Sequence, residues 1–301
     1  ENGVKGVLCD IRRDLLLIPG VAIHMNRGVN EGVKLDPQKD TLPLLGGSQA
    51  ELKKLVAENA GVAPEDILSW DLYLYSRAQG TVFGAEKEFI AAPRLDDLEC
   101  VFAAAKAFLA GENRENVTVL SLFDNEETGS LTRQGADSPF LSEVLERISL
   151  SCGKSREEHL RAIASGFMLS ADNAHAVHPD SPEKSDPTNR CYLNGGVVVK
   201  HSPRYASDAL TAGLFQRICQ KAGVPVQVYY NNSKIPGGGT LGNLSGSHVA
   251  LPTVDIGLAQ LSMHSPYETA GAKDLDYMVW AMQAFYESVI TQTGREEYAI
   301  Q

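Results

Sequence analysis

Apolar and polar positions change rhythm near residue 90 of this 301-residue chain. Before it, "GVAIHMNRGVNEG" and "DTLPLLGG" are short and rich in turn formers, and residues 49–59 have helical spacing. "ILSWDLYLYSRAQGTVFG" alternates apolar and polar side chains, which predicts a pair of strands. Beyond residue 90, "DDLECVFAAAKAFLAG" (96–111) predicts an Ala-rich helix ended by Gly111. "NVTVLSLF" (116–123) has the continuous apolar run of a buried strand. Helices are predicted over 138–150, opened by Ser and Pro, and over 207–223, with a Ser cap and a terminal Gly. "GFMLSA", "GGVVVK", "PVQVYYN" and "PTVDIG" predict strands. Leu275, Met278, Val279, Met282, Phe285 and Val289 recur at helical spacing and predict a last helix over roughly 273–292. Alternating strands and helices give an α/β expectation: a mixed sheet covered by helices on both faces, with a smaller β-rich unit before it.

In such a sheet, chemistry collects just beyond the carboxyl ends of strands. Four such places carry side chains that bind metals: Asp96 and Asp97 in "PRLDDLEC", the acids of "LFDNEETGS", Asp172, His175 and His178 in "LSADNAHAVHP", and His264 in "QLSMHSPYE". Each alone has an ordinary explanation. Acids at a helix start are favoured by the macrodipole, so Asp96 and Asp97 read equally well as capping residues. Together the four are harder to assign to solvated loops. Oxygen and nitrogen donors without cysteine suit a catalytic zinc rather than a structural thiolate site. Two ions about 3.5–4 Å apart need one carboxylate to bridge them. The pair Glu126–Glu127 then divides naturally, one Glu as ligand and its neighbour taking a proton from the attacking water.

Composition narrows the partners. The formal charge of −11 opposes nucleic-acid binding, and no run is apolar for the length of a membrane span. The five cysteines are scattered and form no CxxC pair, which implies reduced thiols and a cytoplasmic setting.

The motifs carry a resemblance over essentially the whole chain. "AIHMNRGVNEG" (22–32), "PRLDDLEC" (93–100), "FDNEETGSLTRQGADSPFL" (123–141), "LSADNAHAVHPD" (169–180), "RYAS" (204–207), "GGTLGNLS" (238–245) and "TVDIGLAQLSMHSPYE" (253–268) resemble the M18 zinc metallopeptidases, the aspartyl aminopeptidase group, in their order. The resemblance implies Asp96 as the carboxylate bridging two zinc ions. It implies Glu127 and His264 as ligands of one site, Asp172 as a ligand of the other, and Glu126 as general base. It places His24 in the role of a substrate-site histidine delivered by a neighbouring subunit, and Lys200 and Tyr205 on the substrate pocket. His175 and His178 are not ligands in the family and stand as supporting residues. A further ligand of the family, the His of a His-x-Asp motif upstream of "AIH", has no counterpart here. The second zinc site is therefore expected with Asp96 and Asp172 but without its His, and roughly the first third of a family member is expected to be absent. The segment "NNSKIPGGGTLGN" departs locally from the family pattern.

The resemblance implies residues 1–85 as the remainder of an inserted dimerisation domain and 86–301 as the catalytic domain. It implies removal of an acidic N-terminal residue from peptides with a free N-terminus, and self-association into dimers and larger oligomers. A catalytically impaired scaffold subunit is the alternative, and another two-zinc hydrolase, a carboxypeptidase or deacetylase, a third.

Overall fold

The computed structural model describes residues 3–235 and 237–301, so Pro236 in the glycine-rich segment lies outside the described residues. The chain forms two compact units, Glu1–Arg77 and Ala78–Gln301. The division falls upstream of residue 85 because β1 (Thr81–Phe83) pairs with β2 (Phe89–Ala92).

In the first unit, α1 (Pro37–Asp40) is capped by Asp36 and α2 (Leu52–Ala60) ends on Gly61 in the left-handed region. A short 3-10 turn, Ile23–Met25, carries His24. The expected β-rich character is not found. Among the described residues this unit has no strand, only an isolated bridge between Leu17 and Leu44. The alternation in residues 67–79 acquires no ladder partner, and Leu68, Tyr73 and Leu74 remain exposed. Alternation marks a half-buried surface only where something covers one face. Val56 and Ala57 are the only buried apolar side chains among the described residues of this unit.

The second unit continues with α3 (Leu95–Ala110), α4 (Phe140–Ser151), α5 (Arg156–Ala164), β3 (Met168–Ala171), β4 (Ala174–His175), β5 (Val197–His201), α6 (Ala209–Ala222), β6 (Val226–Tyr230) and α7 (Leu241–His248). It closes with β7 (Thr253–Gly257), β8 (Ala259–Leu261), β9 (Glu268–Gly271), α8 (Asp274–Glu287) and the hairpin β10 (Ile290–Gly294) and β11 (Glu297–Ile300). One mixed sheet has the order β3-β7-β5-β6, with β3 parallel to β7, β7 antiparallel to β5 and β5 parallel to β6. A second has the order β1-β2-β9-β8-β4.

The main core lies between the first of these sheets and α3, α6 and α8. Ala103 and Ala107, Phe215 and Cys219, and Met278 and Met282 meet Val197, Val199, Val254 and Ile256 there. Small alanines on α3 let that helix approach closely, and the alternation of β5 sends Val198 to the opposite cluster with Ala174, Cys191 and Ala259. The helix expected to run to residue 292 stops at Glu287, because the next residues pair as a hairpin. Segment 116–123 is not a strand either: no described strand pairs with it, and Val117, Val119 and Leu122 are exposed, with Leu120 alone against the core.

The two sheets share chain segments. The β3–β4 and β7–β8 pairs run side by side and pass from one sheet into the other at residues 172–173 and 258. Main-chain bonds from Asp172 to Ile256 (3.0 Å) and from Ala174 to Leu258 (2.8 Å) carry the ladder through this crossing. Asp172 thus stands at the carboxyl end of β3, on a rigid junction.

A candidate metal centre at the strand ends

Three chain segments bring Asp96, Glu127 and His264 together. Arg94, in the left-handed region, turns the chain out of β2, and Asp96 and Asp97 keep non-helical dihedrals before α3 takes up its helical course. They are therefore not ordinary first-turn acids, and their carboxylates are free to face other segments. Glu126 and Glu127 lie on a 3-10 turn, Glu126–Thr128, between Asn125 and Gly129, both at positive φ. Asp124 accepts the main-chain N–H of Asn125 (2.8 Å), so the third acid of "DNEE" closes the turn. His264 sits between β8 and β9, also at positive φ.

The His264 ring bridges the two acids. Its Nε2 lies 3.1 Å from Asp96 Oδ2 and 3.1 Å from Glu127 Oε2. Asp96 also belongs to a second group of converging oxygens, with Asp97 and Asp172. One carboxylate thus stands between two clusters, one with nitrogen and oxygen donors and one of carboxylates alone. The side chain of Asp96 is 5% exposed and that of His264 62%, so the shared acid is the buried end of the cluster and the imidazole the open one.

The electrostatics are those of a cation site without its cation. Burial, and then the charges of Asp172 and Glu127, push Asp96 up to about 8. Burial and the Asp172 charge hold Asp97 well above the carboxylate range. Asp96 Oδ1 and Asp97 Oδ1 are buried without a hydrogen-bond partner among the described residues, a condition that a protein ordinarily avoids. A divalent cation would satisfy those oxygens and cancel the repulsion, and the donor set suits zinc. Asp96, Glu127 and His264 could hold one ion, and Asp96 and Asp172, with Asp97 beside them, another.

Glu126 lies outside both ligand groups, and burial, then the charges of Asp172 and Glu127, raise it above its ordinary range. Lys200 is almost wholly buried. Its Nζ donates to the carbonyl oxygen of Asp172 (2.8 Å), to Asp172 Oδ2 (3.1 Å) and to the carbonyl oxygen of Asn173 (3.3 Å). The structure therefore places Lys200 beneath Asp172 rather than in an open pocket, with the Tyr205 ring centroid 5.2 Å from its Nζ. His24 is exposed in the first unit. His178 accepts the main-chain N–H of Asp180 in a local turn, and the His175 ring centroid lies 6.4 Å from that of Tyr229. Neither joins a ligand group.

Sequence reasoning gave Asp97 no place at the centre and passed over Glu268. The signal for Glu268 was present: an acid four residues after His264, at the start of a strand where acids are unusual.

Residues 1–286 match the family of aminopeptidase I zinc metalloproteases (M18). The chain belongs to the M18 family. It is similar to the probable M18 family aminopeptidase 2 of Clostridium acetobutylicum, 44% identical over 287 residues, covering 93% of this chain and 66% of that protein. It thus spans just under two-thirds of the length of that M18 relative. Among solved structures it resembles prApe1, with a TM-score of 0.85 and 31% identity over 95% of this chain and 66% of that one. It also resembles the mApe1 dodecamer of S. cerevisiae, with a TM-score of 0.77 and 28% identity over 95% of this chain and 65% of that one. The α/β fold with mixed sheets is that of M18 structures. Among the described residues no helix is long and apolar enough to cross a membrane.

Proposed function

We propose that this chain carries the catalytic centre of a zinc aminopeptidase that removes an acidic N-terminal residue, Asp or Glu, from peptides. The observation that supports it best is the His264 ring within 3.1 Å of both Asp96 and Glu127, with Asp96 shared by a second carboxylate group. Asp96 is the bridging ligand, Glu127 and His264 complete one site, and Asp172 serves the other. Zinc bound there supplies an acidified water and a polarised scissile carbonyl.

Glu126 takes the proton of the attacking water and delivers it to the leaving amine. A carboxylate whose pKa is raised toward neutrality suits both halves of that task. The acids around the centre attract the free α-amine of the substrate, which limits cleavage to the first residue. Lys200 is the fixed cation beside them. With Asp172 engaged by a cation, its ammonium is released to attract an acidic first side chain, and Tyr205 borders that position. His24, in the first unit, acts in the site of a second copy, and Glu1–Arg77 is the remainder of a dimerisation domain. The dodecamer known for a relative fits such self-association.

The test is hydrolysis of short peptides with N-terminal Asp or Glu by the zinc-loaded chain. Glu126→Gln should lower kcat by about 10²–10⁴-fold, the usual worth of a general base, with zinc content unchanged. Full activity in that variant would remove Glu126 from the mechanism. A second reading, an impaired subunit that serves assembly, draws on the all-carboxylate composition of the Asp96–Asp97–Asp172 group. Fewer than two zinc ions per chain, with no hydrolysis at any zinc concentration, would favour it.

A further inference from the structure

Glu268 lies at the start of β9, where its residue faces Ala92 at the end of β2 in the antiparallel ladder. It is 2% exposed. A buried carboxylate in an apolar sheet is costly unless its oxygens are hydrogen-bonded. Both oxygens are used, and on two different segments. Oε2 accepts the main-chain N–H of Asp96 at 2.9 Å, and Oε1 accepts that of His264 at 2.7 Å.

The two amides share a predicament. Asp96 has φ −79° and ψ 115°, off the helical path, so its N–H has no helix partner. His264 has φ +66°, a strained setting for a side chain with a Cβ, in a turn beyond β8. Neither conformation is held by a ladder or a helix. Each is held by one oxygen of Glu268.

We infer that Glu268 is a positioning residue that clamps the backbones of Asp96 and His264, fixing the separation at which their side chains receive a metal. This rests on the proposed zinc centre but assigns the role to a residue outside both ligand groups. The carboxylate is required chemically: two N–H donors converge on it, and only a group with two acceptor oxygens can accept both. Gln offers one acceptor oxygen and turns an NH2 toward the other amide. Ala offers none.

The experiment uses the full chain, with Glu268→Gln and Glu268→Ala, and reads two quantities. The first is amide exchange at residues 96 and 264 in the metal-free protein. Both amides should be protected in the parent chain, one should open in Glu268→Gln, and both in Glu268→Ala. The second is zinc affinity by competition with a chromogenic chelator. It should weaken by about 10–100-fold in Glu268→Ala, as for loss of a partner that orients ligands, and by less in Glu268→Gln. Far-UV circular dichroism selects folded variants, and Glu268→Gln, nearly isosteric, keeps the test available if Glu268→Ala fails to fold. Unprotected amides in the parent chain, or a zinc affinity within twofold of the parent in a folded variant, overturn the clamp. If the parent chain takes up no zinc, the proposed centre fails, and amide protection alone then decides the clamp.

Discussion

Glu99 shows how far single side chains at this junction depart from their solution behaviour. It is buried, its Oε1 has no partner among the described residues, and its Oε2 lies 3.5 Å from Asn173 Nδ2. Burial, and then the charge of Asp274, push it up to about 8. Its folded-state pKa therefore lies above the unfolded value, and protonation favours the fold. The corresponding stability is full below about 4.5 and is lost progressively as pH rises toward about 8. Glu99→Gln removes this titration. In urea unfolding with chelator present, the parent chain should lose stability between pH 5 and 8 more steeply than the variant, by at most about 1.4 kcal/mol per pH unit. Parallel pH curves would show that Glu99 does not titrate in this range. The identities of the central acids and of His264 were legible in the sequence, because their residue types and order are chemical signals. The sequence could not show that Asp96 and Asp97 leave the helical path, or that Lys200 is spent on Asp172, since backbone dihedrals and burial depend on the packed fold.

At the scale of elements, the helices were the most readable parts. The apolar faces of α3, α6 and α8 recur at helical spacing over long stretches, and all three form where expected to within a few residues. Strands β3, β5, β6 and β7 were equally visible, because each is a short apolar run bounded by turn formers. Segments 67–79 and 116–123 carry similar runs and form no strand over those residues, since a strand exists only with a ladder partner. The crossing of the β3–β4 and β7–β8 pairs positions Asp172, and its tightest point is Gly257. A Cβ there would overlap the main-chain oxygen of Asp172, the same oxygen that accepts from Lys200. Gly257→Ala should cost about 1–3 kcal/mol in urea unfolding, the range of overpacking in a close-packed interior, and should weaken zinc binding through Asp172. Unchanged stability would mean that the two strands part freely, and the junction would not be the rigid support described here.

At the scale of the molecule, a chain of formal charge −11 gathers further acids into a buried cluster, with Lys200 held against Asp172 and the His264 ring across Asp96 and Glu127. Repulsion among these acids opposes folding around an empty cluster, and a bound cation offsets it. Screening limits the charge of the remaining surface to about 8–10 Å at physiological salt, so the local arrangement governs what binds. Metal affinity and stability are then linked: whatever holds the folded cluster better than the unfolded chain stabilises the fold. The most direct measurement is zinc uptake by the full chain and by Asp96→Asn, by chelator competition, with circular dichroism to show that both are folded. The parent chain should bind zinc, and Asp96→Asn should bind at least about 100-fold more weakly, beyond what loss of an outer partner costs. A parent chain that takes up no zinc, or a folded Asp96→Asn variant of parental affinity, would contradict the metal centre.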